Sequence, residues 1–405
     1  MASAAPSRAL AVFHLAATSG PSRSLEAELR WLSGEADLDV VVPGPGPVAD
    51  AFGEFARITS LDYEALTLPR DPIAATGSAR RVARESRAFR ALVRERRPGL
   101  VVVSSALLPA PLVAARREGV PAIVYAGELF PGGRGHGAGA RGPATAARAV
   151  SGRALAAMTG ALADAVLACS RTVAAQYARA RRARVSVLYP PIPDHSGGDG
   201  QGYRERLGIA PGERCLVALG NITENRGQDV LIAALPAIRA RFPDARALIV
   251  GDPHPRPQDL AYRDRLDELA ARLGLSGAVT FAAHTDRVAD VYAAADVVVN
   301  PRRIGEAFGR VPCEALVAGC PVVAMREGAV PEVLRDGETA LLVPPGDSEA
   351  LAGATIKLLE DEALRSRLVA EGRRDVMRRF APERSLAEFQ RVVTEVAAAR
   401  AAAPR

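Results

Sequence analysis

One stretch of this sequence decides its fold: Asn300-Pro-Arg-Arg-Ile-Gly-Glu-Ala-Phe-Gly-Arg-Val-Pro-Cys-Glu-Ala-Leu-Val-Ala-Gly-Cys-Pro-Val-Val-Ala-Met325. It predicts a strand end, a glycine-containing loop, a short helix that begins near Arg310 with Pro312 in its first turn, and a strand after Pro321. This order is typical of a parallel sheet, whose carboxyl edge faces the ligand. The N-terminus of the helix is therefore expected at a binding edge.

The start of this helix is a candidate anion site. First-turn N–H groups and the positive end of the helix dipole suit a phosphate or diphosphate, and Gly309 allows the backbone to approach it closely. Glu306 and Glu314 lie eight positions apart on either side. They would repel a phosphate, so we expect them to accept hydrogen bonds from hydroxyls, such as those of a sugar and a ribose. The alternative is two solvated glutamates at an ordinary helix start.

A second loop supplies a cation. In Val217-Ala-Leu-Gly-Asn-Ile-Thr-Glu-Asn-Arg-Gly-Gln-Asp229 a strand ends at Gly220, and Arg226-Gly227 closes the loop before a helix. Arg226 is then a candidate to hold a diphosphate by forked hydrogen bonds. Taken alone, an Arg-Gly pair of this kind is typical of a helix lead-in.

Outside these loops, short Val/Ile/Leu runs recur, each followed by a longer amphipathic segment. Continuous apolar runs indicate strands buried on both faces, as in parallel sheets covered by helices. The predicted strands are Leu10–Leu15, Leu38–Val42, Leu100–Val103, Ala122–Tyr125, Ala165–Ala168 and Val185–Leu188, then Cys215–Leu219, Ala247–Val250, Val279–Phe281, Val297–Val299, Pro321–Met325 and Ala340–Val343. Two such sets predict an α/β protein with two Rossmann-like, doubly wound domains.

We expect the N-terminal domain over residues 1–193, a polar, glycine-dense linker over 194–203 that acts as a hinge, and the C-terminal domain over 204–380. Residues 381–405 continue as an alanine-rich helix. This helix either docks back on the N-terminal domain or ends the second domain.

Composition excludes several classes of protein. The 405 residues are 48% hydrophobic and 24% charged, which excludes general disorder. The 4 cysteines form no Cys-x-x-Cys pair and have no histidines at ligand spacing, so neither a zinc site nor a disulfide framework is expected, and the cytoplasm is the expected compartment. The apolar run Ala9–Ala17 contains His14 and favours a buried first strand over a secretory signal.

The net charge of +6 is concentrated in one segment. Arg80–Arg97 holds eight arginines against two glutamates, and aromatic residues are only 4% of the chain, which argues against a general nucleic-acid binder. The segment is predicted to be either a solvated outer helix or a peripheral membrane contact.

With these motifs in hand, the chain resembles the family-4 retaining glycosyltransferases of the GT-B fold, over most of its length. Glu306-Ala-Phe-Gly-Arg-Val-Pro-Cys-Glu314 matches the family's Glu-x7-Glu signature. Leu219-Gly-Asn-Ile-Thr-Glu-Asn-Arg-Gly227 is similar to its donor loop, and Ala163-Asp-Ala-Val-Leu-Ala-Cys-Ser170 to one of its strands. The resemblance implies two domains that face each other across an interdomain cleft.

The resemblance also implies roles for the motif residues. Glu306 would touch hydroxyls of the donor sugar, Gly309, Arg310 and Val311 would meet sugar and diphosphate, and Glu314 would hold the ribose. Arg226 stands where the family has a diphosphate-binding lysine.

Two positions depart from the family pattern. Asn221 replaces an arginine of the donor loop, so Arg310 or a residue of the other domain is expected to compensate. Gly127 stands where a histidine should face the reacting sugar, and either Glu128 or His136 substitutes for it, or this subgroup dispenses with it.

Two further pairs complete the predicted site. Gly20 and Ser22 follow the first strand, where the family has a glycine-rich loop beside diphosphate and acceptor. The alternative is a plain turn into a helix with Ser24 as its cap. His284 and Thr285 are expected near the nucleotide base, which they would contact through backbone groups.

The sequence thus predicts a retaining, metal-independent transferase that needs no cofactor beyond a UDP- or GDP-linked sugar as co-substrate. The acceptor hydroxyl would belong to a secondary metabolite, a polysaccharide or a lipid-linked glycan. Two alternatives stay open, a nucleotide-sugar epimerase of similar architecture and a catalytically silent, nucleotide-binding partner subunit.

Overall fold

The structure is a computed structural model that describes residues 6–69, 71–131 and 143–402. Its contacts divide the chain into two compact units. Unit 1 comprises Met1–Pro191 with Pro382–Arg405, and unit 2 comprises Ile192–Ala381.

Unit 1 is a parallel sheet with helices between its strands. Its strands are β1 Arg8–Val12, β2 Asp37–Val42, β3 Arg57–Ser60, β4 Leu100–Val103, β5 Ala122–Ala126, β6 Ala165–Ala168 and β7 Arg184–Val187. Its helices are α1 Gly20–Glu35, α2 Pro47–Gly53, α3 Pro72–Arg96, α4 Pro109–Arg117, α5 Pro143–Leu162 and α6 Arg171–Ala174. The strand order is β3-β2-β1-β4-β5-β6-β7.

Unit 2 repeats this plan. Its strands are β8 Arg214–Leu219, β9 Ala245–Val250, β10 Val279–Ala282, β11 Val297–Asn300, β12 Val322–Met325 and β13 Leu341–Val343, in the order β10-β9-β8-β11-β12-β13. Its helices are α7 Gly200–Arg206, α8 Gln228–Arg241, α9 Pro257–Arg272, α10 Val288–Ala294, α11 Arg310–Val317, α12 Val330–Val333, α13 Ser348–Glu360 and α14 Glu362–Arg379.

The prediction of two Rossmann-like, doubly wound sheets is confirmed. Central strands such as β4 and β11 are buried along their whole length, because helices cover both faces of each parallel sheet. One strand was missed. The segment Arg57–Ser60, at the edge of the first sheet, is only half-buried and carries a single large apolar side chain, Ile58, so it has no apolar run to detect.

The C-terminal helix, α15 Pro382–Ala402, belongs to unit 1. The Ser385 hydroxyl donates to the buried carboxylate of Glu28 in α1, and the Phe389 ring packs edge-on against Trp31 with centroids 6.2 Å apart. The sequence left two positions open for the C-terminal helix, and the structure shows that this helix packs on the N-terminal domain.

The expected linker over 194–203 requires a correction, because it is packed into unit 2. A Cβ on Gly198 or Gly200 would lie 2.1 or 2.3 Å from carbonyl oxygens of α10. Asp199 caps α7 by accepting from the Gly202 N–H at 2.8 Å. Its glycines therefore permit close backbone packing, whereas the sequence interpretation attributed them to flexibility.

Candidate functional site

The ligand crevice expected in unit 2 lies where its strand order reverses. β8 and β11 are neighbours, and the connections that leave them run to opposite sides of the sheet. In doubly wound sheets such a switch point, at the carboxyl ends of the strands, is where ligands bind. The loops that follow β8 and β11 carry Arg226 and Gly309, so the topology brings the two predicted motifs together.

These two loops hold each other in place. The Arg303 N–H donates to the Asn225 carbonyl at 3.0 Å. Gly227 has φ +69°, and a Cβ there would lie 2.2 Å from the Pro301 carbonyl oxygen. Only glycine allows this approach, so the position of Arg226 is coupled to that of the loop before α11.

Gly309 is the N-cap of α11, with φ +100° and no side-chain cap. The first-turn N–H groups of a helix have no intrahelical partners and carry the positive end of its dipole. Because the cap residue has no side chain, a ligand can approach this helix start. The contacts of Gly309, Arg310 and Val311 with sugar and diphosphate stay a prediction.

A third loop holds Glu306. Its carbonyl accepts from the Ala329 N–H at 2.8 Å, and Gly328, with φ +57°, lies against the same oxygen. The Glu327 carboxylate accepts from the Gly305 N–H at 3.1 Å. The Glu306 side chain is 12% exposed, and the Nε of Arg302 lies 3.7 Å from its carboxylate. Its oxygens therefore retain capacity to accept hydroxyl donors.

Glu314 is more deeply buried than the sequence suggested. It is 4% exposed, and it accepts from the Tyr292 hydroxyl at 2.8 Å and pairs with Arg310 at 3.0 Å. The Nε2 of His195 lies 4.0 Å from the same carboxylate. These contacts fix the side chain near the first turn of α11 and leave lone pairs for a further donor.

Arg226 is an isolated cation. Its guanidinium packs over Gly220, where a Cβ would lie 3.1 Å from its Cζ, and among the described residues no carboxylate lies within 4 Å of it. Burial lowers the pKa of Arg226 to about 10, the charge of Arg302 acts in the same direction, and Glu306 opposes both. An anion between the two guanidiniums would relieve their repulsion.

Arg302 was missed by the sequence argument. It lies near enough to Arg226 to lower the pKa of that residue, and its contact with Glu306, at 3.7 Å, is longer than the 3.0 Å pair that Arg310, the predicted substitute, forms with Glu314. Its signal was present, since Arg302 and Arg303 directly follow a buried strand at the ligand edge. Only the structure separates them, because Arg303 donates a hydrogen bond to the carboxylate of Asp229, whereas Arg302 lies 3.7 Å from that of Glu306.

The other residues predicted to contact the nucleotide-sugar donor form hydrogen bonds with neighbouring residues of unit 2. The Asn221 amide lies 3.1 Å from the His254 ring. The His284 N–H donates to Asp252 at 3.2 Å, and the Thr285 hydroxyl accepts from the Arg287 N–H at 3.1 Å. His284 and Thr285 follow β10, the edge strand of the sheet, so their contact with a base stays a prediction.

In unit 1, Glu128 follows β5 and is held by several donors. Its carboxylate accepts from the Ser105 hydroxyl, from the Gly127 N–H at 3.1 Å and from the Ala106 N–H at 3.4 Å. Burial raises the pKa of Glu128 to about 7, against the lowering effect of these hydrogen bonds. Burial thus favours the protonated form of this carboxyl group, and a buried group with a shifted pKa at a sheet edge is a candidate for a functional residue.

Gly127, the residue before Glu128, has room for a side chain. A Cβ on Gly127 would make ordinary contacts at 3.5 Å with the Tyr125 ring and 3.6 Å with Pro21. A histidine at this position is therefore not excluded by its nearest neighbours. His136, the other predicted substitute, lies outside the described residues.

Gly20 and Ser22 form the start of α1 rather than an open loop. Ser19 is the N-cap, its hydroxyl accepts from the Ser22 N–H, and the Ser22 hydroxyl accepts from the Ser19 N–H at 2.8 Å. Ser24, the cap in the alternative interpretation, instead donates to the Gly20 carbonyl at 2.8 Å, which corrects that assignment. Ser22 is 4% exposed, so its hydroxyl serves the helix start.

Two parallel-sheet Rossmann-like units of this kind define the GT-B fold, and solved structures share it. The chain superposes on Anabaena HepE, crystallised with UDP and glucose, with a TM-score of 0.77 at 19% identity over 96% of this chain and 99% of that one. Sucrose-phosphate synthase from Thermosynechococcus elongatus gives 0.75 at 21% identity over 97% and 100%.

The sequence comparisons identify the family. Residues 18–195 match the model "Glycosyltransferase Family 4", and residues 201–375 match "Glycosyl transferases group 1". Between them the two models span most of both units, so the chain belongs to the family-4 glycosyltransferases.

Curated relatives match over part of their length. The D-inositol 3-phosphate glycosyltransferase of Rhodococcus opacus is 37% identical over 197 residues, which are 47% of this chain and 44% of the relative. The phosphatidyl-myo-inositol mannosyltransferase of Mycolicibacterium smegmatis is 42% identical over 168 residues, 41% of each chain. The matches thus span less than half of these relatives.

Proposed function

We propose that this protein transfers a sugar from a nucleoside diphosphate sugar to an acceptor hydroxyl. One observation carries the proposal: the uncapped start of α11 lies between Glu306 and Glu314, at the switch point that also holds Arg226 and Arg302. Cations and backbone N–H groups suit a diphosphate, and the flanking carboxylates suit hydroxyls. Family membership and the named activities of the relatives support the same assignment.

Each group has a separate task in this scheme. Arg226 and Arg302 hold the diphosphate of a UDP- or GDP-linked hexose or N-acetylhexosamine, together with the first turn of α11. Glu314 accepts from the ribose and Glu306 from the sugar. In unit 1, Glu128 takes the place of the histidine that the family has one position earlier.

We propose that the reaction retains the anomeric configuration and needs no metal ion. The bond between the anomeric carbon and the diphosphate oxygen breaks, and the acceptor oxygen bonds to the same face of that carbon. The acceptor proton passes to the departing phosphate oxygen, whose charge Arg226 and the helix start stabilise. The acceptor belongs to a secondary metabolite, a polysaccharide or a lipid-linked glycan.

Thermal stabilisation by a panel of UDP- and GDP-sugars tests donor binding, because a ligand raises the melting temperature by mass action. We expect Glu314→Ala to weaken nucleotide binding about 10- to 100-fold through the loss of a charged hydrogen bond. Glu306→Ala should lower turnover more than affinity. Glu349→Ala is the matched control, since Glu349 lies in the first turn of α13. Unchanged kinetics in both site variants would contradict the site.

Product analysis tests the reaction itself. A glycoside of inverted configuration would contradict the retaining mechanism. Conversion of the donor in the absence of any acceptor would identify an epimerase, and nucleotide binding without any turnover would identify a silent partner subunit.

A further inference from the structure

The arginine-rich helix α3 and the residue after it carry two kinds of arginine. Half of the eight arginines between residues 80 and 97 are neutralised by carboxylates that the fold brings to the helix. These pairs are Arg81 with Glu64 at 2.6 Å, Arg90 and Arg94 with Glu118 at 2.8 and 2.9 Å, and Arg96 with Asp39 at 3.2 Å. The local excess of charge is therefore smaller than the sequence suggests.

The other arginines of the helix share one face. Arg80, Arg84 and Arg87 are exposed and follow the i, i+4, i+7 spacing of a single helix face. Among the described residues, no carboxylate lies within 4 Å of these three guanidiniums. They form a positive stripe in which none of the three arginines makes an ion pair with a described carboxylate.

Beside this stripe runs an apolar groove of about 540 Å³ between α3 and α5. Its apolar lining consists of Leu66, Leu68, Val82, Val113, Leu155 and Met158. Alanines of both helices, among them Ala79, Ala83 and Ala154, line it and are exposed. Ile73, near the start of α3, is 85% exposed, so the groove and this residue present apolar surface to solvent.

The groove is basic as well as apolar. Arg87, Arg90 and Arg117 all line it. Arg90 is paired with Glu118, but Arg87 and Arg117 have no carboxylate within 4 Å among the described residues. An apolar channel bordered by two uncompensated guanidiniums matches a molecule with a hydrocarbon chain and an anionic head.

We propose that the α3–α5 groove docks unit 1 on an anionic phospholipid bilayer, with one acyl chain in the groove and the lipid phosphate at Arg87 and Arg117. The stripe of Arg80, Arg84 and Arg87 adds attraction to neighbouring anionic headgroups. This docking does not depend on the proposed reaction. None of the described helices is long and apolar enough to cross a membrane, so such docking is peripheral.

Charge and size favour a lipid over the other occupants. In a two-fold dimer through this groove the same basic patch would lie on both sides of the interface, so its uncompensated arginines would repel. A cavity of roughly 150 Å³ holds one benzene ring, so the groove has room for a hydrocarbon chain.

Flotation with lipid vesicles tests the charge. We expect the wild-type chain to bind phosphatidylglycerol-containing vesicles and to ignore pure phosphatidylcholine. Arg87→Glu should weaken binding about tenfold. Arg272→Glu makes the same charge change at an exposed residue at the end of α9 and should leave vesicle binding unchanged. Equal binding to both kinds of vesicle, or equal loss in both variants, would overturn the proposal.

Flotation of groove variants tests the acyl chain. Ala154→Asp places a carboxylate in the groove, and Ala157→Asp places one on the same helix, at an exposed residue that does not line it. We expect only Ala154→Asp to lose vesicle binding, and we expect phospholipid brominated on its acyl chain to quench the fluorescence that Ala79→Trp introduces. Equal behaviour of the two aspartate variants, absence of quenching, or a dimer that Ala154→Asp dissociates would contradict the lipid assignment.

The same variants separate this proposal from the donor site. UDP- or GDP-sugar binding, measured by thermal stabilisation, should be unchanged in Arg87→Glu and Ala154→Asp, since both lie in unit 1. A wild-type chain that binds vesicles but no nucleotide sugar would contradict the proposed function alone. The reverse result would contradict the lipid docking alone.

Discussion

The helices α1 and α11 both begin at the carboxyl edge of a parallel sheet, beside a switch point, but their first turns are satisfied differently. In unit 1, Ser19 and Ser22 exchange hydrogen bonds in a capping box, and the helix start supplies its own acceptors. In unit 2, Gly309 offers no side chain, so the start of α11 relies on a group from outside the helix.

The surrounding charges extend this contrast. Near α11, Arg226 lies beside Arg302 with no carboxylate within 4 Å in the part of the chain that the structure describes, and burial has lowered the pKa of Arg226. In unit 1 the buried group at the sheet edge is the Glu128 carboxylate, which its own neighbours satisfy. The same topology therefore leaves a candidate anion site in unit 2, where the helix start has no side-chain cap and a guanidinium lies nearby. We accordingly place the proposed diphosphate in unit 2, and Gly20 and Ser22 become weaker candidates for contacting it.

The largest effect on nucleotide affinity is expected from a substitution that gives α11 a side-chain cap. Gly309→Asp should reduce affinity for UDP or GDP by about 100-fold or more, because its carboxylate would occupy the first-turn N–H groups and repel the diphosphate. Isothermal titration measures the change. Gly309→Ala is the control, since it carries the strain of φ +100° without the charge. Equal loss in both variants would mean that strain, and not capping, explains the effect.

Removing the cation in unit 2 should have the next largest effect. Arg226→Ala is expected to cost about 1.5–3 kcal/mol in binding of a nucleoside diphosphate, through lost charged hydrogen bonds. A nucleoside monophosphate should lose less, because it lacks the second phosphate. Arg272→Ala, at an exposed arginine at the end of α9, is the control. If both nucleotides lost the same affinity, Arg226 would not be a diphosphate ligand.

The buried carboxyl group of Glu128 should make the stability of unit 1 depend on pH. Burial raises the pKa of Glu128 from 4.5 to about 7. As the pH rises, the unfolded chain therefore loses this proton at a lower pH than the folded chain does. The stabilisation that protonated Glu128 gives the folded chain is therefore fully present below about pH 4.5, and it is lost as the pH rises to 7. Glu128→Gln should become more stable than wild type by about 1–3 kcal/mol above pH 7, measured by urea unfolding.

An exposed glutamate in the same unit provides the control for that titration. Glu26→Gln, on α1, should show the pH dependence of wild type. A constant difference between Glu128→Gln and wild type across this pH range would mean that Glu128 does not titrate near neutrality.

The smallest effect is expected from dismantling the cap of α1. Ser22→Ala should destabilise unit 1 by about 1 kcal/mol in thermal unfolding and leave affinity for nucleotide sugars unchanged. Ser33→Ala, near the end of the same helix, should be nearly neutral. A loss of nucleotide affinity in Ser22→Ala would restore the predicted diphosphate contact in unit 1.

Much of the fold was predictable because buried parallel strands leave continuous apolar runs, as in Leu100–Val103 and Val297–Asn300. The edge strand Arg57–Ser60 lacks such a run and was missed. Residues 194–203 were interpreted as a linker because glycine serves flexibility and close packing equally well, and only the neighbouring α10 distinguishes the two.

In the candidate site, Glu306, Gly309, Glu314 and Arg226 were found because their spacing along the chain carries the signal. Tyr292 and His195 were not found, since each acts on Glu314 from a distant part of the chain. Arg302 was visible beside Arg303, but only the structure shows that Arg303 donates to Asp229, whereas Arg302 lies near Arg226 and 3.7 Å from Glu306.

By itself, the sequence determined the two doubly wound sheets and the helix start that follows Gly309, because periodicity and local spacing are properties of neighbouring residues. Tertiary structure alone decided which arginines gain carboxylate partners and where the last helix packs. These depend on partners far apart in the chain, whose electrostatic and packing energies exist only once the fold has brought them within a few ångströms.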